Sequence, residues 1–498
     1  MSAAVFELNG QTVRVNDVDP HCTLLDWLRA SGRTGTKEGC AEGECGACAV
    51  AFLSLDAEGR PSFMPVNSCL VALADVHGRA VVSVEGVSSP GAALHPVQRA
   101  LVEAGGSQCG YCTPGFVMSL FCEYYRPGRD TYDPEAISGN LCRCTGYRPI
   151  VAAAQSLGPP AAMDPWLLRL AAGPAPRRSI DEPVLAVDAP LGDAPLDGPL
   201  DIPPRGPCFL RARSRTELGQ ILRERPEAVL MAGGTDLMVY ANQRGTRYPA
   251  LVSVAGLSEL QHFGVGPSPA GGTELVIGAA LPLAQLERLL ESSPLGAEID
   301  LLRQLLPLFS SRLIRNRATL GGNLATASPI GDSAPVLLAL GAELTLGSAA
   351  GVRRLPLSEF FVGYRKTLLN PGEWIQSVHV PRPAPARQRF YKVSKRVLDD
   401  ISTVAAAFAL DLDERGRVER FRAAYGGIAA VPVRARALEE LAQGELWDAR
   451  TLERLVLAAR TLGTPQGDHR GSAAYRQAMI ERLLERFYAE TSADQELR

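Results

Sequence analysis

Apolar and polar positions alternate at the start of the chain. Val5-Phe6-Glu7-Leu8 and Thr12-Val13-Arg14-Val15 flank Asn9-Gly10, which predicts a hairpin over 4–15, because Asn-Gly readily takes the positive φ angles of a two-residue turn. Over 23–30 the spacing changes to helical, with Leu24, Leu25 and Leu28 on one face. A glycine-rich stretch follows, with Gly32, Gly35, Gly39, Gly43 and Gly46. Next come AVAFLSL (49–55) and RAVVSVEGV (79–87), which read as strands. Residues 1–85 are therefore expected to form a small α+β module.

Residues 86–157 read as helical. Pro96, Pro114, Pro134 and Pro149 each stand at the head of a helix-like segment, where a missing N–H costs nothing. Asp133 is placed to cap the third segment, and four short helices suit a bundle. Residues 158–204, rich in Pro, Gly, Ala and Asp, are expected to be an inter-domain linker. Strand candidates return at Ala228–Ala232, Leu251–Ala255 and Leu275–Ala279. Two Gly-rich loops are expected, at 233–236 and 320–327, the second leading to a helix capped by Asp332. Residues 205–385 form one expected domain. Residues 386–498 form another, with strands in FYKVSKRV and ISTVAAAFAL and helices at 449–462 and 471–490.

The chain has 498 residues, too many for one core at roughly 100–200 residues per domain. A formal net charge of −3 speaks against nucleic acid as a partner. No apolar run reaches the ~18 residues of a membrane span, and the first residues lack the basic-then-apolar order of a secretory signal. The expectation is a soluble, cytoplasmic protein with no membrane partner.

Eleven cysteines change the picture. Cys40-x4-Cys45-x2-Cys48, with Cys69 further on, has plant-type ferredoxin spacing. A [2Fe–2S] cluster needs four thiolates, and glycines let backbone N–H groups turn toward the sulfurs. Zinc would favour paired C-x2–4-C knuckles. Cys109-x2-Cys112 and Cys142-x-Cys144 form a second group. By spacing alone the C-x2-C piece is a redox pair, half a zinc knuckle, or part of a second four-thiolate set. Cys22, Cys122 and Cys208 read as small buried hydrophobes, and the six histidines show no metal spacing. His95, heading HPVQRAL, suits a cap or packing role.

No G-x-G-x-x-G follows a strand, so a Rossmann site is not expected. The two Gly-rich loops, LMAGGTDL (230–237) and TLGGN (319–323), offer backbone N–H groups to an anion such as a pyrophosphate. On its own GGTD is equally an ordinary turn.

Longer stretches decide among these readings. SQCGYCTPGFVMSL (107–120) and GNLCRCTGYRPI (139–150) resemble, nearly letter for letter, the helical-bundle cluster domain of the molybdenum hydroxylase family. The resemblance implies a second [2Fe–2S] cluster on Cys109, Cys112, Cys142 and Cys144, with Gln108 toward a pterin. The two Gly-rich loops resemble that family's FAD-binding domain, distantly akin to vanillyl-alcohol-oxidase-type flavoenzymes. The resemblance implies that Gly233, Gly234, Thr235, Gly321, Gly322 and Asn323 hold the FAD pyrophosphate, with Leu230, Met231, Ala232, Asp236, Leu237, Thr319 and Leu320 in the same loops. Asp332 would hold the sugar or ribityl part. Phe309 and Lys392 match flavin contacts, and Ile375 stands where the family has Leu. Arg396, Asp399 and Asp400 would lie in a loop near the flavin ring, or form no more than a solvated charged loop.

The implied fold is multidomain α+β. It comprises a β-grasp plant-type ferredoxin domain, a four-helix-bundle [2Fe–2S] domain, a vanillyl-alcohol-oxidase-like FAD-binding domain and a C-terminal α+β flavoprotein domain. FFVGYRKTLL (360–369) resembles xanthine dehydrogenases more than carbon monoxide dehydrogenases. The function implied is electron transfer from a molybdopterin-bearing large subunit, through both clusters to FAD and then NAD, while hypoxanthine and xanthine are oxidised to urate. No residue of this chain is catalytic in that scheme. The partner would be a separate large chain in an α2β2 heterotetramer. The alternative is the same portion of an aldehyde oxidase or CO dehydrogenase.

Overall fold

The computed structural model describes residues 3–88, 91, 93–173 and 206–496. It divides into two compact units, Met1–Leu257 with Ser311–Ala318, and Ser258–Ser310 with Thr319–Arg498.

The first unit begins with the expected hairpin. Ala4–Leu8 pairs antiparallel with Gln11–Val15, and Asn9 and Gly10 both have positive φ, 52° and 81°, the primed turn that matches strand twist. The sheet continues through Ala80–Val82, parallel to the first strand, then Ala49–Leu55 and Pro61–Asn67. Helix Leu24–Ala30 crosses it. Thr23 and Asp26 close a reciprocal capping box at its start, and Leu24, Leu25 and Leu28 are buried. Burying each leucine contributes roughly 1.5–3 kcal/mol.

The helical part uses its prolines as expected. Pro96 opens Pro96–Glu103, and Pro114 and Pro149 stand second in Thr113–Tyr124 and Arg148–Ser156. Pro134 opens only a short 3-10 turn, Pro134–Ile137, which Asp133 caps. Phe116, Leu120, Phe121 and Ile150 join Ala51, Leu53 and Phe63 of the sheet's second face in one core.

Part of the expected linker is structured. Asp164 caps the helix Pro165–Ala171. Leu170 is buried and Trp166 packs edge-on to Phe63 and Phe121. A Pro- and Gly-rich composition hid one short amphipathic turn with an aromatic anchor. The remainder of that segment, 174–204, lies outside the described residues.

Residues 206–257 add a parallel three-stranded sheet, Cys208–Arg211, Ala250–Ser253 and Val229–Met231 in spatial order. Helices Arg215–Glu224 and Leu237–Arg244 connect its strands.

The second unit holds two larger antiparallel sheets and a two-stranded one, Phe361–Gly363 with Lys366–Thr367. Five strands run in the order Gly351–Pro356, Glu343–Ser348, Trp374–Arg382, Thr273–Gly278, Phe263–Pro267. The other larger sheet is Arg387–Val393, Val404–Leu412, Val418–Gly426 and Val433–Arg434. Helix Ala473–Glu496 covers it, with Phe487 stacked on Phe408 at 5.0 Å between ring centres. The C-terminal strands and helices stand close to where periodicity predicts them. Among the described residues no helix is long and apolar enough to cross a membrane.

Candidate iron–sulfur and flavin sites

The first cysteine loop wraps tightly because its glycines leave room. A Cβ on Gly39 would sit 2.7 Å from the Cys45 sulfur, and one on Gly43 would overlap Leu70. Asn67 Nδ2 donates to the Gly43 carbonyl at 2.7 Å, and Ser68 Oγ donates to the Cys48 carbonyl at 2.7 Å. These bonds tie the loop to the 3-10 turn Ser68–Leu70 that carries Cys69. The four sulfurs meet as two pairs. Cys48 and Cys69 are 3.3 Å apart and buried, and Cys40 bonds Cys45. The Cys45 thiol, helped by the backbone N–H groups of Glu42 and Cys45, outweighs burial and draws Cys40 down to about 5. The same pairing pushes the Cys45 thiol up, so the two sulfurs share one proton between them.

The second group sits at helix ends. Cys112 immediately precedes Thr113–Tyr124, and Cys142 and Cys144 lie just before Arg148–Ser156. Tyr147, at φ +67°, reaches back so that its hydroxyl accepts from the Cys142 N–H at 3.0 Å. The N–H of Thr145 points at the Cys142 sulfur at 3.5 Å. Again there are two pairs, Cys109 with Cys144 and Cys112 with Cys142. Burial pushes the Cys112 thiol up to about 12. Cys109 and Cys144 are exposed, as are Gln108, Tyr111 and Leu141 beside them.

The two cysteine loops touch directly. The Leu141 N–H donates to the Cys45 carbonyl at 3.0 Å, and Asn140 Nδ2 donates to the Gly46 carbonyl at 3.2 Å. The Tyr111 hydroxyl donates to the Glu38 carbonyl. A Cβ on Gly115 would stand 2.1 Å from the Gly46 oxygen, so the second group's helix rests on the first group's backbone.

Among the described residues no three His, Cys, Asp or Glu side chains gather as they would around a single metal ion. What gathers is thiol pairs with backbone N–H groups aimed at sulfur. That donor set fits a [2Fe–2S] cluster, in which thiolates and bridging sulfides share two irons and N–H bonds to sulfur tune the potential.

The expected flavin residues fall in both units. In the first, Val229–Met231 runs into Gly233 and Gly234, and Gly234 has φ +75°. The helix Leu237–Arg244 that follows Asp236 grips the first cysteine loop. Asn242 Nδ2 donates to the carbonyls of Ala41 and Cys69 at 2.9 and 2.8 Å, and Gln243 Nε2 donates to that of Cys40 at 2.6 Å.

In the second unit, TLGGN is not a loop. Thr319 caps the helix Leu320–Thr326 by accepting from the Gly322 N–H at 3.0 Å. Gly321 is needed because a Cβ would lie 2.6 Å from Ala279, to whose carbonyl its own N–H donates. Asn323 accepts from the Ser333 hydroxyl. Asp332 does not cap its helix as expected. Its carboxylate is turned away to take Ser402 Oγ at 2.5 Å and the Lys392 ammonium at 3.0 Å. Lys392 is buried and also donates to the Leu308 carbonyl at 2.7 Å. Two buried, opposite charges hold each other, and so two expected flavin contacts are brought together. Phe309 is half-buried, and Ile375 is buried in Trp374–Arg382 opposite Leu346. Arg396 and Asp400 bond within their own exposed turn, Arg396 Nη2 donating to the Asp399 carbonyl at 2.8 Å.

Sequence reasoning missed Asp75, Asn242 and Arg317. Asp75 is 2% exposed. Burial would raise its pKa, but Arg317, Arg79 and Arg211 outweigh it and hold the carboxyl at about 2. The signal was a lone Asp in the apolar run Val71–Val76. Cys122 and Cys208 are buried as expected and Cys22 partly so, its thiol pushed up to about 11 by burial.

Comparison with known proteins follows this division. Residues 6–73 match the 2Fe-2S iron-sulfur cluster binding domain, and 83–155 match a [2Fe-2S] binding domain. Residues 205–383 match the FAD binding domain in molybdopterin dehydrogenase, and 389–491 match the CO dehydrogenase flavoprotein C-terminal domain. The chain carries the iron–sulfur and flavin domains of a molybdenum hydroxylase. The expected multidomain α+β class stands. Xanthine dehydrogenase of Emericella nidulans is 34% identical over 99% of this chain and 39% of its own length. Aldehyde oxidase 2 of Cavia porcellus is 32% identical over 97% of this chain and 39% of its own length. The chain thus spans well under half of these curated relatives. Reconstituted CO dehydrogenase from Oligotropha carboxidovorans is similar in structure, with a TM-score of 0.52 and 26% identity over 57% of this chain and 96% of that one.

Proposed function

We propose that this chain is the iron–sulfur and flavin subunit of a xanthine dehydrogenase. It relays electrons from a molybdopterin-bearing large subunit to FAD and on to NAD. The observation that carries this reading is the direct contact of the two cysteine loops, Leu141 N–H to Cys45 carbonyl at 3.0 Å. Bound clusters supply single-electron transfer, and bound FAD exchanges electrons singly or in pairs. Cys109, Cys112, Cys142 and Cys144 hold the outer cluster, and Cys40, Cys45, Cys48 and Cys69 the inner. The exposed Cys109 and Cys144 face the large subunit with Gln108. The inner loop is locked through Asn242 to the helix Leu237–Arg244 that follows Gly233-Gly234-Thr235-Asp236. Gly321, Gly322, Asn323, Asp332, Phe309, Ile375 and Lys392 complete the flavin residues, and Arg396, Asp399 and Asp400 border NAD access.

A xanthine dehydrogenase relative aligned over 99% of the chain favours xanthine as the electron source. The aldehyde oxidase relative and the CO dehydrogenase structure favour a second reading, with the same relay and a different pocket on the large subunit. The test is to purify the chain with its co-expressed large subunit in the proposed α2β2 assembly. Flavin and both iron–sulfur signals are then measured, and NAD reduction is assayed with xanthine, an aldehyde and CO. NAD reduction driven by xanthine is expected. Turnover with aldehyde or CO alone selects the second reading. Xanthine oxidation by this chain without a partner overturns both.

A further inference from the structure

Asp75 belongs to the ferredoxin-type domain but faces no cysteine. It lies within the 3-10 turn Leu73–Val76 and is sealed from solvent. Its Oδ2 accepts from Arg317 Nη2 at 2.7 Å and its Oδ1 from Ser253 Oγ at 3.3 Å. Arg211 and Arg79 stand further off, at 3.8 and 3.9 Å. The Arg317 side chain is itself 7% exposed, and its Nε donates to the Gly233 carbonyl at 2.9 Å. One planar guanidinium thus donates to a carboxylate through Nη2 while it donates to a backbone carbonyl through the adjacent Nε. Gly233 comes this close only because it lacks a side chain, since a Cβ would lie 2.0 Å from the Arg317 carbonyl oxygen. In a trans peptide the C=O and the next N–H point in opposite directions. An Arg317 that fixes the Gly233 carbonyl therefore also fixes the Gly234 N–H, aimed away from the guanidinium.

We propose that Asp75 is a positioning residue for the flavin: through Arg317 it sets the Gly233–Gly234 peptide so that its N–H points to the FAD pyrophosphate. The inference rests on the flavin reading above. It makes a carboxylate of the cluster domain a determinant of FAD affinity.

The experiment strips FAD from the purified full-length chain and titrates it back by quenching of flavin fluorescence. Iron–sulfur circular dichroism and thermal melting are recorded alongside. Asp75→Asn is expected to raise the FAD dissociation constant at least tenfold with the iron–sulfur dichroism unchanged. The double variant Asp75→Asn/Arg317→Met removes the stranded guanidinium, so melting recovers while FAD affinity stays low. A single variant within twofold of wild type, or a double variant that regains wild-type affinity, overturns the proposal. Should Asp75→Asn fail to accumulate, Arg317→Lys keeps the charge but cannot span both partners, and the same tenfold and twofold criteria apply. A wild-type chain with both cluster signals that binds no FAD overturns the flavin reading itself, and this inference with it.

Discussion

Single residues here carry constraints that their letters do not announce. His95 is buried as the cap of Pro96–Glu103. Its Nδ1 accepts from the Val97 N–H at 3.2 Å, so the proton is on Nε2, 2.8 Å from the Tyr125 hydroxyl. That hydroxyl in turn donates to Asp164 at 2.8 Å. Burial lowers the His95 pKa to about 4, with Asp164 only partly opposing. The unfolded chain therefore binds a proton near pH 6.5 that the folded chain refuses until about 4. Between those values the unfolded state holds more protons, so stability falls as pH falls, by roughly 2–3 kcal/mol for this group. Denaturant unfolding from pH 7 to pH 4 should show this loss. His95→Asn keeps a side chain suited to capping and should flatten that slope relative to wild type. An unchanged slope would rule out His95 as its source. The cap role was legible in HPVQRAL. The link to Tyr125 and Asp164 was not, because Tyr125 is 30 positions from His95 and Asp164 a further 39 beyond it, and periodicity reports only neighbours on one element.

At the scale of elements, the sequence spoke clearly where local chemistry decides. Asn9-Gly10, the prolines at helix starts and Leu24, Leu25 and Leu28 needed no tertiary context. It misled where a tertiary contact overrides local preference. Thr319 turns a glycine pair into a helix start because Gly321 packs on Ala279, and Asp332 gives up a cap for Lys392 and Ser402. Gly115 shows the same dependence. Nothing in TPGFVMSL demands glycine, and only the Gly46 carbonyl, 2.1 Å from where a Cβ would stand, explains it. Gly115→Ala should therefore push the Thr113–Tyr124 helix off the first cysteine loop, at a cost of about 1–3 kcal/mol from overpacking. The expected outcome is a lower melting temperature and a weaker magnetic interaction between the two reduced clusters by EPR. Wild-type values for both would show that the loops do not depend on this contact.

For the whole molecule, the unequal exposure of the two thiol groups predicts unequal chemistry. Cys48 and Cys69 are buried, with Asn67 and Ser68 closing over them, whereas Cys109 and Cys144 reach the surface. A chelator or oxidant attacks a cluster by reaching its sulfurs, so access sets the order of loss. In the isolated chain, mild chelation should bleach the outer cluster first, several-fold faster than the inner one, as followed by the separate EPR signals of the two centres. Adding the large subunit should slow outer-cluster loss toward the inner-cluster rate, because a partner that delivers electrons there must cover Cys109, Tyr111, Leu141 and Cys144. Equal rates in the isolated chain would contradict the exposure pattern. Protection of the inner cluster alone would place the partner elsewhere and break the proposed order of the relay. The same asymmetry explains why spacing alone left the second cysteine group ambiguous. Its ligands come from the ends of two helices joined by more than twenty intervening residues, so only the folded bundle, or a long match in sequence, shows that they meet.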